Sequence, residues 1–177
     1  IGGGPGGLSA AYYLALMGHH VAIYEKRQKL GGMMRYGIPS YRFPRELLDA
    51  EIESILSLGI EVHTGMKVGN EISFDELKAN YDCLYISIGA HTDKKVGIEG
   101  EDSIGVISAV QMLGQIGDDI MPDFTDQNVV VVGGGNVAMD AARTARRLGA
   151  EVTVVYRRGR EEMPARAEEI HHAEQEG

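Results

Sequence analysis

Two glycine-rich loops constrain this sequence more than any other feature. One follows the pattern GxGxxG from Gly2, and the other follows GxGxxA from Gly133. In such a loop the first glycine permits a tight turn and the second lets a pyrophosphate approach the backbone. The third position must be small so that a helix can pack closely against a strand. Each loop is therefore expected to open a helix whose N-terminus can bind the phosphates of a dinucleotide.

The two loops belong to an internal repeat. When the sequence is shifted by 131 positions, so that Gly2 falls on Gly133, it aligns with itself without gaps, and Gly18 falls on Gly149. A period this long indicates a duplicated domain rather than a solenoid, whose repeats are about 20–50 residues long.

Short apolar runs alternate with helical patterns along the chain, which is typical of parallel sheets covered by helices. We expect an α/β fold with tandem doubly wound, Rossmann-like dinucleotide-binding domains. The predicted strands include residues 83–88, with Cys83 as a buried small hydrophobe, and a fully buried strand over residues 129–132. Residues 118–126 contain four Asp and one Pro. We place the domain boundary there, which gives domains over residues 1–123 and 124–177.

Both domains are expected to be incomplete. The chain enters the first loop at Ile1 with almost no preceding strand, and it stops at Gly177 after a helical pattern. We expect that this fragment alone is inactive.

Composition excludes several classes of function. The 177-residue chain carries 17 Lys and Arg against 26 Asp and Glu, a net charge of −9, and an acidic chain is a poor ligand for nucleic acid. No apolar run approaches the ~20 residues that a membrane span needs. The single cysteine allows neither a disulfide nor ligation of an iron–sulfur cluster by this chain alone. It is typical of a protein in a reducing cytoplasm.

Glu25 follows Gly7 by 18 residues, at the end of the second predicted strand. A carboxylate at this position can accept hydrogen bonds from the hydroxyls of a ribose. The alternative is a solvated residue at a strand end. The complete pattern of loop, helix, strand and acid favours the dinucleotide function.

The corresponding position of the second repeat is Tyr156, and Arg157 and Arg158 follow it. No carboxylate is present there to repel a 2′-phosphate, and two cations are available to bind one, so the second loop is predicted to prefer NADP. The alternative is that both arginines are solvent-facing loop charges.

Two pairs of neighbouring histidines, His19-His20 and His171-His172, do not predict a metal site, because side chains one residue apart on a helix do not share a face. We interpret them as solvated. No residue is predicted to bind a metal.

The sequence resembles the glutamate synthase small-subunit family of NADPH-dependent oxidoreductases, which is related to the flavin half of dihydropyrimidine dehydrogenase. The resemblance covers nearly the whole chain. It rests on the strings GGGPGGLSAAYYLALMGHHVAIYEK, GGMMRYGIPSYRFP, SIGA, GIEGEDSIGVISA and VVVVGGGNVAMDAARTARRLGAEVTVVYRRGREEMPA.

The resemblance implies that the first domain binds FAD and the second binds NADPH. The implied FAD-binding residues are Gly2, Gly4, Pro5, Gly6, Gly7, Glu25, Lys26, Gly32, Arg35, Gly89 and Ala90. The implied NADPH-binding residues are Gly133, Gly135, Asn136, Val137, Arg157 and Arg158.

The resemblance also implies a flavin-dependent oxidoreductase. NADPH would pass a hydride to FAD, and electrons would continue to iron–sulfur clusters outside this chain. The partner would be a glutamate synthase large subunit or another iron–sulfur electron acceptor. Because the cofactors carry the redox chemistry, no residue is named as catalytic. A related subunit linked to ferredoxin or a hydrogenase, and a nucleotide-sensing module without redox activity, stay open as alternatives.

Overall fold

The computed structural model describes residues 1–177 as seven α-helices and four β-strands. The helices are α1 (Pro5–Leu16), α2 (Met33–Tyr36), α3 (Arg45–Leu56), α4 (Phe74–Asn80), α5 (Ala109–Gly117), α6 (Asn136–Arg147) and α7 (Ala167–Glu176). The strands are β1 (Ala22–Glu25), β2 (Glu61–Thr64), β3 (Asn128–Val132) and β4 (Glu151–Val155). No helix is both long and apolar enough to cross a membrane.

The chain divides into two compact units, Ile1–His91 and Thr92–Gly177. This division lies well before the boundary predicted at residues 123 and 124. Helix α5 belongs to the second unit because its Met112 and Leu113 pack with Ala141 of α6 in one apolar cluster.

In the first unit, β1 and β2 form a parallel pair, with Ala22 opposite Glu61 and Glu25 opposite Thr64. Helices α1 and α3 pack against each other. The core between these elements consists of small and aliphatic side chains, namely Leu8, Ala11, Ile23, Leu30, Leu48, Ile52 and Ile60.

The predicted strand over residues 83–88 is not formed as a regular strand. The Ile1 terminal amine donates to the Tyr85 carbonyl at 2.7 Å, and the Ser87 amide donates to the Ile1 carbonyl at 2.9 Å. These two bonds have the pattern of a parallel ladder, but the partner is a single residue. The ladder does not reach Cys83, which is exposed, so the prediction that it is buried was wrong.

In the second unit, β3 and β4 form a parallel pair joined by α6, with Asn128 opposite Glu151 and Val132 opposite Val155. The prediction that β3 is fully buried was wrong, because Val130 is 60% exposed and Val132 is 61% exposed. The helices pack only on the face that carries Val131. A doubly wound sheet needs helices on both faces, and that arrangement stays a prediction.

The internal repeat is visible in the way that α1 and α6 end. Gly18 and Gly149 follow the two helices with φ of +88° and +97°, a left-handed conformation that glycine adopts without steric cost. The next amides, of His19 and Ala150, each donate to the helix carbonyl five residues earlier. Both helices therefore end in the same Schellman-type turn.

An ion-pair network joins α6 to α7. The Arg143 guanidinium lies 3.3 Å from a Glu169 oxygen and 2.8 Å from a Glu176 oxygen, and Arg147 lies 2.8 Å from the same Glu176 oxygen. Arg143 and Glu169 are buried. Removing one partner from such a network leaves a charge without its counter-ion, which destabilises the helix pair.

We predict that Glu176→Gln lowers the free energy of unfolding by about 1.5–3 kcal/mol near neutral pH, the range for hydrogen bonds to charged groups. The Arg147 guanidinium, together with Arg143, lowers the pKa of the Glu176 carboxyl from 4.5 to about 2. Its stabilising effect is therefore complete above pH 4.5 and disappears as the pH falls through about 2. Urea unfolding of the wild type and of Glu176→Gln, near neutral pH and at about pH 3, measures the difference in their free energies of unfolding. This difference must shrink at the lower pH.

The matched control is Glu168→Gln, on the exposed part of the same helix. If Glu176→Gln costs no more than this control at neutral pH, the network does not stabilise the helix pair.

Candidate dinucleotide-binding sites

The two glycine loops are built on the same plan. In the first, the Gly2 amide donates to the Tyr24 carbonyl at 2.8 Å, and in the second the Gly133 amide donates to the Val155 carbonyl at 2.9 Å. A Cβ added at Gly7 would lie 1.9 Å from the Gly2 carbonyl oxygen. The first helix therefore approaches the loop so closely that no side chain fits at the third glycine of the motif.

The second glycine of each motif is the N-cap of the helix that follows. Gly4 and Gly135 have extended backbones, and neither helix start has a side-chain cap. A Cβ added at Gly135 would meet nothing within 4 Å, and one added at Gly4 would meet only the Gly32 Cα, at 3.5 Å. The first amides of both helices are thus left without a capping side chain, beside open space in which a phosphate could approach them.

Glu25 is buried rather than solvated, with 7% of its surface exposed. One carboxylate oxygen accepts from the Gly3 amide at 2.7 Å and the other accepts from the Arg27 amide at 2.8 Å. Each oxygen has a second lone pair with which it can accept a hydrogen bond from a hydroxyl group. Glu25 therefore ties the end of β1 to the glycine loop, and Lys26 lies exposed beside it.

Tyr156 occupies the matching position of the second unit, as the repeat requires. A Cβ added at Gly134 would lie 2.7 Å from the Tyr156 ring, so the ring covers the glycine that corresponds to Gly3. Arg157 and Arg158 follow on the exposed turn after β4. No hydrogen bond or ion pair joins either guanidinium to another side chain of the chain. The site therefore has two unneutralised cations and no carboxylate at this position.

Gly32 contacts the first loop directly. Its φ is +52°, and a Cβ added there would lie 2.6 Å from the Gly4 Cα. Arg35 is also close but is buried behind this turn, where its Nε donates to the Leu30 carbonyl at 2.6 Å and its guanidinium pairs with Asp49.

The remaining predicted residues lie at exposed turns or helix starts. Gly89 (φ +68°) and Ala90 follow residues 83–88 and are exposed. In the second unit, Val137 is 50% exposed at the start of α6. The Asn136 side-chain oxygen accepts from the Arg166 amide at 2.9 Å, so this side chain fixes the segment before α7.

Sequence reasoning missed two residues close to the first site. Arg45 donates to the carbonyls of Met34 and Ile38 at 2.8 and 2.6 Å. Its signal was a cation at the first residue of a helix, where the helix dipole disfavours positive charge. His91 lies near the end of β1, where burial and the charges of Lys26 and Arg27 lower its pKa. No pattern in the sequence indicated this proximity.

Comparison with known proteins gives a consistent relationship. The family described as pyridine nucleotide-disulphide oxidoreductase matches residues 1–177. The chain is 48% identical to the NADP(+)-dependent formate dehydrogenase subunit beta of Moorella thermoacetica. It is 33% identical to the glutamate synthase [NADPH] small chain of Escherichia coli (strain K12). All of this chain is aligned in both cases, but it spans only 26% and 40% of those relatives. The predicted kinship with glutamate synthase small chains is confirmed.

The fold is also found in a solved structure. Mycobacterium tuberculosis FprA, determined in complex with NADPH, superposes with a TM-score of 0.77 at 24% sequence identity. The match covers 98% of this chain and 46% of FprA. This likeness confirms the Rossmann-like α/β fold.

We predict that Gly7→Ala destabilises the protein by more than about 2 kcal/mol, because the new methyl group would overlap the Gly2 carbonyl and the surrounding backbone would have to move. The control is Gly6→Ala in the same helical turn. A Cβ at Gly6 would make only an ordinary 3.5 Å contact with the Ser87 Cβ. Thermal unfolding of both variants decides the matter, and equal melting temperatures would show that the close approach does not exist.

Proposed function

This chain belongs to the pyridine nucleotide-disulphide oxidoreductase family, and we propose that it forms the cofactor-binding core of an NADPH-dependent flavoprotein that exchanges electrons with an iron–sulfur partner subunit. The observation that carries the proposal is the difference between its two repeats. Two loops of similar construction are followed by strands that end differently, on the buried carboxylate of Glu25 in the first repeat and on the uncharged Tyr156, with two unpaired arginines after it, in the second.

The first loop fits the ADP half of FAD. Its uncapped helix start at Gly4 and Pro5 suits a pyrophosphate, with the amides of Gly6 and Gly7 in the first helical turn. Glu25 is held where a ribose hydroxyl could donate to it. Residues 1–123 would form this FAD-binding part, with Lys26, Gly32, Arg35, Gly89 and Ala90 towards its edges.

The second loop fits NADPH. Gly133 and Gly135 would admit the pyrophosphate to the start of α6, where Asn136 and Val137 begin the helix. The guanidinium groups of Arg157 and Arg158 would bind the 2′-phosphate, since arginine forms charge-assisted contacts with phosphate oxygens. Residues 124–177 would form this NADPH-binding part.

The chemistry follows from the two cofactors. When bound, they supply hydride transfer between the nicotinamide and the flavin. The residues of this chain bind and orient the nucleotides, and none of them is proposed as an acid or base. Cys83 is the only cysteine of this sequence. Iron–sulfur clusters that exchange electrons with the flavin would therefore be held by residues outside this sequence or by a partner.

The electron acceptor is proposed by class only. The chain is more similar to a formate dehydrogenase subunit beta, at 48% identity, than to the E. coli glutamate synthase small chain, at 33%. This difference in identity supports an electron-transfer subunit of a dehydrogenase. The sequence alone favours the other candidate, a glutamate synthase small subunit.

We predict that the full-length protein is yellow and that Glu25→Gln weakens its affinity for FAD about tenfold, because the loss of one charge-assisted hydrogen bond has roughly that effect. Glu53→Gln, on the exposed face of α3, serves as the control and leaves the affinity unchanged. Titration of the apoprotein followed by flavin fluorescence measures both. A protein without flavin bands after addition of FAD would rule out the FAD site and favour a nucleotide-sensing module.

We predict that Arg157→Ala and Arg158→Ala each lower kcat/KM for NADPH about 10-fold or somewhat more, with little change for NADH. A charge-assisted phosphate contact contributes about 1.5–3 kcal/mol, and exposure to solvent reduces it towards the lower figure. Steady-state kinetics of the full-length variants with both nucleotides give the ratio. If the double variant keeps the wild-type ratio, the arginines are surface charges.

A further inference from the structure

One segment forms a wall of the first dinucleotide loop. This segment, residues 30–44, follows β1 and leads into α3. Its Gly31 amide donates to the Gly3 carbonyl at 2.8 Å. The backbone of Gly32 lies against Gly4, so closely that a Cβ at Gly32 would be 2.6 Å from the Gly4 Cα. A shift of the segment would therefore shift the loop or open a gap beside it.

The segment cannot hold this position by its own secondary structure. Its single helix, α2, has four residues, and a helix of one turn is unstable without tertiary contacts. Residues 31 and 32 both have positive φ, at +122° and +52°.

Two side chains of α3 supply the missing restraint. Arg45 donates to the carbonyls of Met34 and Ile38, and more weakly to that of Phe43 at 3.4 Å. Asp49, one turn further along α3, pairs with the buried Arg35, whose Nε holds the Leu30 carbonyl. The segment is thus bonded to α3 directly at Met34, Arg35 and Ile38, and Arg35 in turn binds the start of the segment at Leu30. We call Arg45, the Arg35–Asp49 pair and the carbonyl groups that the two arginines bind the arginine clamp.

The position of Arg45 is unfavourable for α3 alone. It is the first residue of the helix, where the helix dipole repels a cation. The planar guanidinium compensates by donating to several carbonyls at once, which the single ammonium of a lysine cannot do with the same geometry. Arg45 is thus unfavourable for the helix that carries it but satisfies carbonyl groups of the neighbouring segment. We therefore interpret it as a residue that stabilises the segment rather than the helix.

We propose that Arg45 and Asp49 are positioning residues for the FAD site, which hold residues 30–44 so that Gly31 and Gly32 close the first dinucleotide loop. Their bonds described above run to residues 34, 35 and 38, so both residues act through the segment. This inference rests on the proposed function for the identity of the ligand, but the restraint of the segment is a property of the protein without ligand.

The test uses the full-length protein in four variants. These are Arg45→Gln, Arg45→Lys, Asp49→Asn and, as the control, Lys78→Gln on α4. Two quantities are measured: the dissociation constant for FAD by fluorescence titration, and amide hydrogen exchange of residues 31–43 in the apoprotein. NADPH affinity is measured in parallel, because a general loss of folding would weaken both nucleotides.

Arg45→Gln is expected to weaken FAD binding about tenfold and to speed exchange in the segment about tenfold, with NADPH affinity and the exchange of β3 and β4 unchanged. Arg45→Lys recovers part of the loss, Asp49→Asn shows a smaller loss, and Lys78→Gln behaves as wild type. An FAD affinity of Arg45→Gln within about twofold of wild type overturns the proposal. If Arg45→Gln does not fold, the same criterion applied to Arg45→Lys and Asp49→Asn together decides it.

The two measurements distinguish a failure of the clamp from a failure of the proposed function. A wild-type protein that binds no FAD contradicts the proposed function. In that case the exchange measurement still decides whether the clamp restrains the segment, and unchanged exchange in Arg45→Gln contradicts the clamp.

Discussion

The close approach of a helix to the turn that precedes it is the constraint on which both sites depend. At Gly7 the space between α1 and the Gly2 carbonyl is smaller than a methyl group. This packing brings the N-terminal amides of the helix to the loop and leaves them without a side-chain cap. The corresponding position of the second repeat is Ala138, where the same close approach leaves room for a methyl group. The same arrangement thus occurs twice with a small difference in fit.

The difference between the repeats that bears on their ligands lies at the end of the strand after each loop and helix. Glu25 bonds to the amide of Gly3, and Tyr156 covers the corresponding glycine with its ring. A carboxylate at this place repels a 2′-phosphate and binds ribose hydroxyls, whereas an uncharged ring followed by arginines tolerates the phosphate. The proposed division of labour between FAD and NADPH therefore depends on electrostatics at one strand end, on a backbone that is otherwise repeated.

Much of this organisation could be predicted from the sequence because it is encoded locally. The glycine patterns, the repeat over 131 positions and the alternation of strands with helices can all be seen directly in the sequence. The errors concern burial, which depends on elements far along the chain. The sequence predicts a strand over residues 83–88, but these residues form no regular strand. It also predicts that Val130 is buried, but Val130 is 60% exposed. The contacts of Arg45 and the place of His91 depend on how a loop folds back, which no periodicity reports.

Under the proposed function, the two loops hold a flavin and NADPH in one electron-transfer unit. This proposal is tested most directly by anaerobic addition of NADPH to the full-length, FAD-loaded protein while the visible flavin band is followed. The band is expected to bleach with NADPH and to bleach much more slowly with the same concentration of NADH. A bound flavin that a chemical reductant bleaches but NADPH does not would contradict it.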